Sequence, residues 1–413
     1  MRWFFIILLC LTTSLYTTSA QETTWSVYLY NNNDKTLLRI GSDGTQSTIT
    51  LDLPTDVYIS TWEMAFSPDG QTLAYCTSDW TQVTEMGVPS LLTVIDLTTN
   101  TPRFQQDLGL TQGCRAAGFS NDNQLLAYAT VNYFPDQPGA DIETPAWELV
   151  LLDSQTGDRV DQFGNNSPQL LVMDELLRDF PIMPEIRDFT TDSLVFLAIP
   201  WGIGGVPQVD AYRWHFGTDG NFTRESYWGA FGADKLTDTD EMVWLEYDPA
   251  RPSGNPGGPI ASFNIVQYLA PDGSEQVIYA NGEWVIVDSR FVNHGQQIAI
   301  MLLESFDPEA NEELTVQHTQ WILLDRDGTI TELGTYTTFT ELVSAPAGLV
   351  ILESAYTQED FQPPIRYTLK YYVAGGFIDL WTQESDDIAA SWQIAYVTPS
   401  DTMPDLPPFV PLN

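Results

Sequence analysis

Two stretches of the chain repeat one another, and that repeat limits the folds open to it more than any other feature. Phe66-Ser67-Pro68-Asp69-Gly70-Gln71-Thr72-Leu73-Ala74-Tyr75 aligns with Phe119-Ser120-Asn121-Asp122-Asn123-Gln124-Leu125-Leu126-Ala127-Tyr128. Each reads as strand, tight polar turn, strand, because alternating apolar residues flank Pro, Asp, Gly or Asn. With these strands called a and b, weaker a–b hairpins recur around Thr190-Thr191-Asp192, Thr237-Asp238-Thr239-Asp240, Asn293-His294-Gly295 and Ala345-Pro346-Ala347. A second hairpin, c–d, alternates with the first. Its turns are Ser42-Asp43-Gly44, Thr98-Thr99-Asn100, Gln155-Thr156-Gly157, Thr218-Asp219-Gly220, Pro271-Asp272-Gly273, Arg326-Asp327-Gly328 and Ala374-Gly375-Gly376. Asp-Gly and Gly-Gly supply the positive φ that a tight hairpin needs.

Four short strands in every ~40 to 55 residues is the signature of propeller blades. Seven c strands give an all-β, seven-bladed β-propeller. Separate β-sandwiches would need linkers between them, and the sequence has none. The ends complete the count: residues 27–30 read as a lone b strand and residues 389–397 as a lone a strand. Pairing the C-terminal strand with the N-terminal strands closes the ring and removes two exposed edges. The propeller then occupies residues 21–398, and the Pro-rich tail, 399–413, is expected to trail over the surface.

Phe66-Ser67-Pro68-Asp69-Gly70 with Leu73-Ala74-Tyr75 resembles the repeat of TolB-like and WD-repeat-like propellers. The resemblance is close in blades one and two and architectural in the other five; no copy carries the Gly-His and Trp-Asp pair of true WD repeats. It implies a binding or scaffolding role and transfers no catalytic residue.

The first twenty residues read as a signal peptide: Arg2, an apolar run from Trp3 to Leu11, then Thr18-Ser19-Ala20. An uncleaved anchor is the alternative, and Leu9 before Cys10 argues against lipidation. The expected location is secreted or periplasmic, with no membrane insertion after cleavage. The formal net charge is −40, which repels phosphate backbones and argues against nucleic-acid partners. Cys76 and Cys114 remain in the mature chain. They fall at the end of strand b in blade one and the start of strand a in blade two, so a disulfide stapling adjacent blades is expected, with two buried thiols as the alternative.

In this reading the a–b and c–d turns lie on one face of the disc, and the longer b–c and d–a connections on the other. The long insertions, at 78–90, 131–147, 200–210, 248–261, 304–318 and 355–365, therefore share a face. A helix is expected from a Ser167 cap to a Pro181 stop. The insertions carry Trp80, Tyr133, Phe134, Asp136, Trp147, Trp201, Phe306, Tyr356 and Asp360. Rigid rings beside carboxylates suit a protein or glycan ligand; the alternative is that they pin the loops down. Asp307, Glu309 and Glu312 are weak candidates for calcium, the only cofactor considered. There is no Gly-x-Ser-x-Gly elbow, and His215, His294 and His318 fall on different blades. No recognisable catalytic constellation emerges, so a monomeric, non-catalytic binding module is the expectation. The alternative is a polysaccharide hydrolase or lyase using carboxylates in the central funnel.

Overall fold

A computed structural model describes residues 25–412 except 54–56, 58, 86, 133–145, 166–181, 201–210, 218–221, 226–231, 237–238, 252–262, 305–317, 337–339, 347, 357–363, 374, 387–391 and 399–405. The described strands form seven four-stranded antiparallel sheets. Blade 7 begins the chain with β1 (Ser26–Asn31), β2 (Thr36–Gly41) and β3 (Gln46–Thr50). Blade 1 holds β4 (Met64–Phe66), β5 (Thr72–Ser78), β6 (Val88–Asp96) and β7 (Thr101–Thr111). Blade 2 holds β8 (Gly113–Phe119), β9 (Leu125–Val131), β10 (Trp147–Asp153) and β11 (Arg159–Gly164). Blade 3 holds β12 (Ile182–Phe189), β13 (Ser193–Pro200), β14 (Ala211–His215) and β15 (Phe222–Glu225). Blade 4 holds β16 (Asp234–Lys235), β17 (Met242–Glu246), β18 (Ile265–Leu269) and β19 (Glu275–Ala280). Blade 5 holds β20 (Trp284–Val292), β21 (Gln297–Glu304), β22 (Thr319–Asp325) and β23 (Ile330–Tyr336). Blade 6 holds β24 (Thr340–Ala345), β25 (Gly348–Tyr356), β26 (Ile365–Val373) and β27 (Gly376–Ser385). Finally β28 (Trp392–Val397) joins blade 7 beside β1.

That last pairing closes the ring. Tyr28 faces Tyr396, Leu29 faces Ile394 and Asn31 faces Trp392, with a bulge between Tyr28 and Leu29. Thr398 N donates to Ser26 O at 3.0 Å and extends the ladder. Every residue of β1 is buried, whereas β3 is exposed except at Ile49. A strand with sheets packed on both faces is largely apolar, as Val27–Tyr30 are between the buried Ser26 and Asn31 at its ends; an outer strand need not be.

The repeated hairpin has a mechanical reason for its sequence. Ser67 Oγ accepts from Thr72 N at 2.9 Å and donates to Asp69 Oδ1 at 2.5 Å. Ser120 does the same with Leu125 N (2.9 Å) and Asp122 Oδ1 (2.7 Å). The next position is left-handed, Gly70 at φ 65° and Asn123 at φ 62°, which only such residues adopt at low cost. Gly70 is also needed for space, since a Cβ there would meet Thr398 Cγ2 at 2.7 Å.

Among the described residues, the buried apolar side chains form seven clusters, each shared by two adjacent blades. Trp147 and Phe163 of blade 2, for example, pack with Phe196 and Trp214 of blade 3. No blade holds a core of its own, and burying one such side chain is worth about 1.5–3 kcal/mol. The ring therefore stands or falls as a unit. Cys76 on β5 and Cys114 on β8 form a disulfide with their Cα atoms 5.8 Å apart, joining blade 1 to blade 2.

Of the expected surface tail, residues 406–412 are described, and all but Leu406 and Phe409 are exposed. Phe409 is 2% exposed and belongs to the cluster shared by blades 4 and 5. The expected signal peptide and the helix from Ser167 lie outside the described residues.

Candidate functional site

The first strands of neighbouring blades pack together: β4 with β8, β8 with β12, β16 with β20, β20 with β24 and β24 with β28. Acidic and basic side chains on these strands reach across the blade junctions. Asp234 Oδ2 on β16 accepts from Phe291 N on β20 at 2.7 Å. Glu341 Oε2 on β24 accepts from Ile394 N on β28 at 2.5 Å. Arg290 Nη1 on β20 donates to Leu342 O on β24 at 2.9 Å, while its Nη2 pairs with Asp288. Arg115 on β8 lies 3.8 Å from Glu185 on β12, and Thr61 Oγ1 donates to Gln393 Oε1 at 3.1 Å. Burial pushes Asp234 up to about 6 and Glu341 up to about 7, against the smaller effects of the backbone donors and Arg290. Raised carboxyls in a channel can work as general acids. Here each is tied to a backbone N–H of the next blade, which makes it a staple first.

Among the described residues, the face bearing the b–c and d–a connections presents three exposed rings. Trp80, 59% exposed, sits in a single 3-10 turn, Trp80–Gln82. Asp79 fixes that turn by accepting from Thr81 N at 3.0 Å and Gln82 Nε2 at 2.6 Å. Trp62, 42% exposed, sits in a second 3-10 turn, Thr61–Glu63, just before β4. Glu63 Oε2 accepts from Ser60 N at 2.7 Å, closing a capping box. The Arg115 guanidinium lies over the Trp62 ring, 5.6 Å from its centre. Tyr247, 52% exposed, follows β17 directly. Rings held by rigid turns lose little entropy when a ligand covers them.

Of the ring residues named from sequence, Trp80 is presented on this face and Trp147 is not. Trp147 is fully buried, 5.8 Å from Phe163 and 6.3 Å from Phe196 between ring centres. It opens β10 opposite Val131, so the strand's alternation turns its ring into the core between blades 2 and 3. Tyr356 ends β25, and its side chain lies outside the described residues. Tyr133, Phe134, Asp136, Trp201, Phe306 and Asp360 also lie outside them, as do the calcium candidates Asp307, Glu309 and Glu312. Sequence reasoning missed Trp62 and Tyr247. The Ser60-x-x-Glu63 spacing was the available signal for Trp62; Tyr247 follows the polar Glu246, where the apolar run of β17 stops.

The opposite face, which bears the tight turns, holds a groove of about 800 Å³ where blades 7 and 1 meet. Trp25, Tyr28, Arg39, Asp69, Thr98 and Asn100 contribute to its lining. Tyr28 donates from its hydroxyl to Gly70 O at 2.9 Å, and Arg39 Nε donates to Ser26 Oγ at 3.0 Å. Its size suits a small ligand. Among the described residues no cluster of three or more His, Cys, Asp or Glu side chains could hold a metal ion.

No known family profile matches the sequence, and no curated protein does. Solved structures do. The β-propeller domain of the trilobed protease from Pyrococcus furiosus is 13% identical, with a TM-score of 0.47 over 86% of this chain and 89% of that one. The uncomplexed acylaminoacyl peptidase of Pyrococcus horikoshii is 14% identical, with a TM-score of 0.48 over 86% of this chain and 52% of that one. A putative TolB from Agrobacterium tumefaciens is 15% identical, with a TM-score of 0.37 over 76% and 89%. The likeness is one of fold alone. This chain spans about half the length of the acylaminoacyl peptidase it matches, and that protein's activity is not carried over.

Proposed function

We propose that this protein is an exported, non-catalytic binding or scaffolding propeller that takes a protein or glycan partner on its loop-bearing face. The observation that supports this is the presentation of Trp62, Trp80 and Tyr247 on that face, each ring exposed. Flat apolar surface with a polar edge is what sugar rings and peptide side chains stack on. An extracytoplasmic location fits the disulfide and the absence, among the described residues, of any helix long and apolar enough to cross a membrane.

One feature favours the alternative of a polysaccharide hydrolase or lyase: Asp234 and Glu341 carry pKa values pushed up to about 6 and about 7, as a general acid requires. A glycan and peptide array with the mature protein separates the readings. Saturable binding without turnover, weakened at least about tenfold by Trp80→Ala, is the expected result. Released products, abolished by Glu341→Gln, would replace it with the enzymatic reading.

A further inference from the structure

The C-terminal residues 406–412 occupy the tight-turn face at the junction of blades 4 and 5, and their contacts are those of a bound peptide. Pro407, Pro408 and Pro411 fix φ and donate no hydrogen bond, which favours an extended backbone. Val410 N donates to Arg326 O at 2.9 Å and Leu412 N to Val277 O at 2.8 Å. Donors two residues apart point to the same side of an extended chain, and here they reach the turn after β22 in blade 5 and the outer strand β19 of blade 4. Two carbonyls are read as well. Pro407 O accepts from Arg326 Nη1 at 2.5 Å, and Phe409 O accepts from Gln276 Nε2 at 2.7 Å.

Between these contacts the Phe409 ring fills a pocket, while Pro408 and Val410 beside it are exposed. Tyr268 meets the ring edge-on at 5.2 Å, Phe291 lies at 6.3 Å, and the Arg326 guanidinium covers it at 4.5 Å. The pocket floor is organised without help from the tail. Arg326 Nε donates to Gly295 O at 2.8 Å, and its Nη1 and Nη2 fork onto Glu241 at 2.9 and 2.8 Å. Tyr268 donates its hydroxyl to the same carboxylate. Arg326 and Glu241 are 7% and 3% exposed. Nη1 carries two hydrogens; Glu241 takes one and the other reaches Pro407 O. A rigid floor with one donor to spare is a recognition device.

We propose that this groove is a peptide-binding site for extended, proline-flanked aromatic segments of the type Pro-Pro-Phe-Val-Pro, and that the chain's own C terminus is its tethered occupant. An outside segment of the same chemistry gains the site by displacing the tail. The site lies on the face opposite the exposed rings and does not rest on the function proposed for them.

The test uses the full mature chain and a labelled synthetic peptide of residues 406–413, followed by fluorescence anisotropy. Phe409→Ala in the protein empties the pocket, and this variant should bind the wild-type peptide saturably. The wild-type protein should bind it at least about tenfold more weakly, because a tethered copy competes at high effective concentration. A peptide carrying Phe409→Ala should bind neither. Val410→Pro in the protein, which removes one backbone donor and keeps the ring, is a second way to loosen the tail and should admit the peptide too. Circular dichroism and a melt establish that each variant is folded. No uptake of the wild-type peptide by the folded variants would overturn the proposal and leave the tail a structural clasp.

Discussion

Blade 7 and the junction of blades 4 and 5 are both completed by the C-terminal end of the chain, and they are held by opposite means. At blade 7, β28 supplies backbone: a ladder along β1 with apolar residues facing inward. Many sequences of the right alternation could serve there. At the junction of blades 4 and 5 the tail supplies two backbone donors and one ring, and its position depends on Arg326, Glu241 and Tyr268. A ladder tolerates sequence change; a side-chain clasp does not. Both junctions also share a device, an inner-strand carboxylate accepting from the next blade, Asp234 at one and Glu341 at the other.

Removing residues 386–413 should have the largest effect, since it strips β28 from β1 and opens the cores shared with blades 6 and 1. The melting temperature should fall by more than about 10 °C. Removing 399–413 alone should cost clearly less; equal losses would mean that the clasp, not the ladder, closes the molecule. Next comes Arg326→Met, which leaves Glu241 buried and unpaired and should cost about 3–5 kcal/mol in a denaturant melt. Adding Glu241→Leu should return much of it. A loss below about 1 kcal/mol would show that the pair contributes little.

The smallest effect concerns pH. Burial raises Asp234 to about 6 and Glu341 to about 7, so the folded state holds these protons more tightly than the unfolded chain, where the values are about 4. The stability they contribute is full below about pH 4 and is lost as pH rises through 6 to 7. Exposed turn carboxylates act oppositely: hydrogen bonds from Thr45, Ser274 and Thr329 hold Asp43, Asp272 and Asp327 below the usual range. Their contribution disappears in stronger acid. The melting temperature should therefore be highest near about pH 4 and fall as pH rises to about 7, levelling above that. Glu341→Gln should flatten part of that fall at the seam, and Asp234→Asn part of it at the clasp. Unchanged slopes would contradict the assignment.

The hairpin turns, the seven-fold count and the meeting of the two ends were legible because each depends on local chemistry. Ser67 and Asp69 with Gly70, repeated by Ser120 and Asp122 with Asn123, state their turn in the sequence itself. The anchoring of Phe409 was not legible. Pro407, Pro408 and Pro411 suggest an extended, solvated chain, and nothing local reveals that Tyr268 and Arg326, far away in sequence, leave a pocket for Phe409. Trp147 failed for a related reason. It lies at the edge of a long insertion, and one residue of register decides whether a ring faces solvent or the core. Trp80 was legible as a surface ring; Trp62 lies in the connection between β3 and β4, which the sequence reading did not single out as an insertion.

Amide hydrogen exchange tests the closed ring most directly. If β28 seals the disc, the amides of Trp392–Val397 and Ser26–Asn31 should exchange as slowly as those of β9 and β10 inside blade 2 and should open together with them. Fast exchange in Trp392–Val397 while blade 2 stays protected would mean that the ring is open.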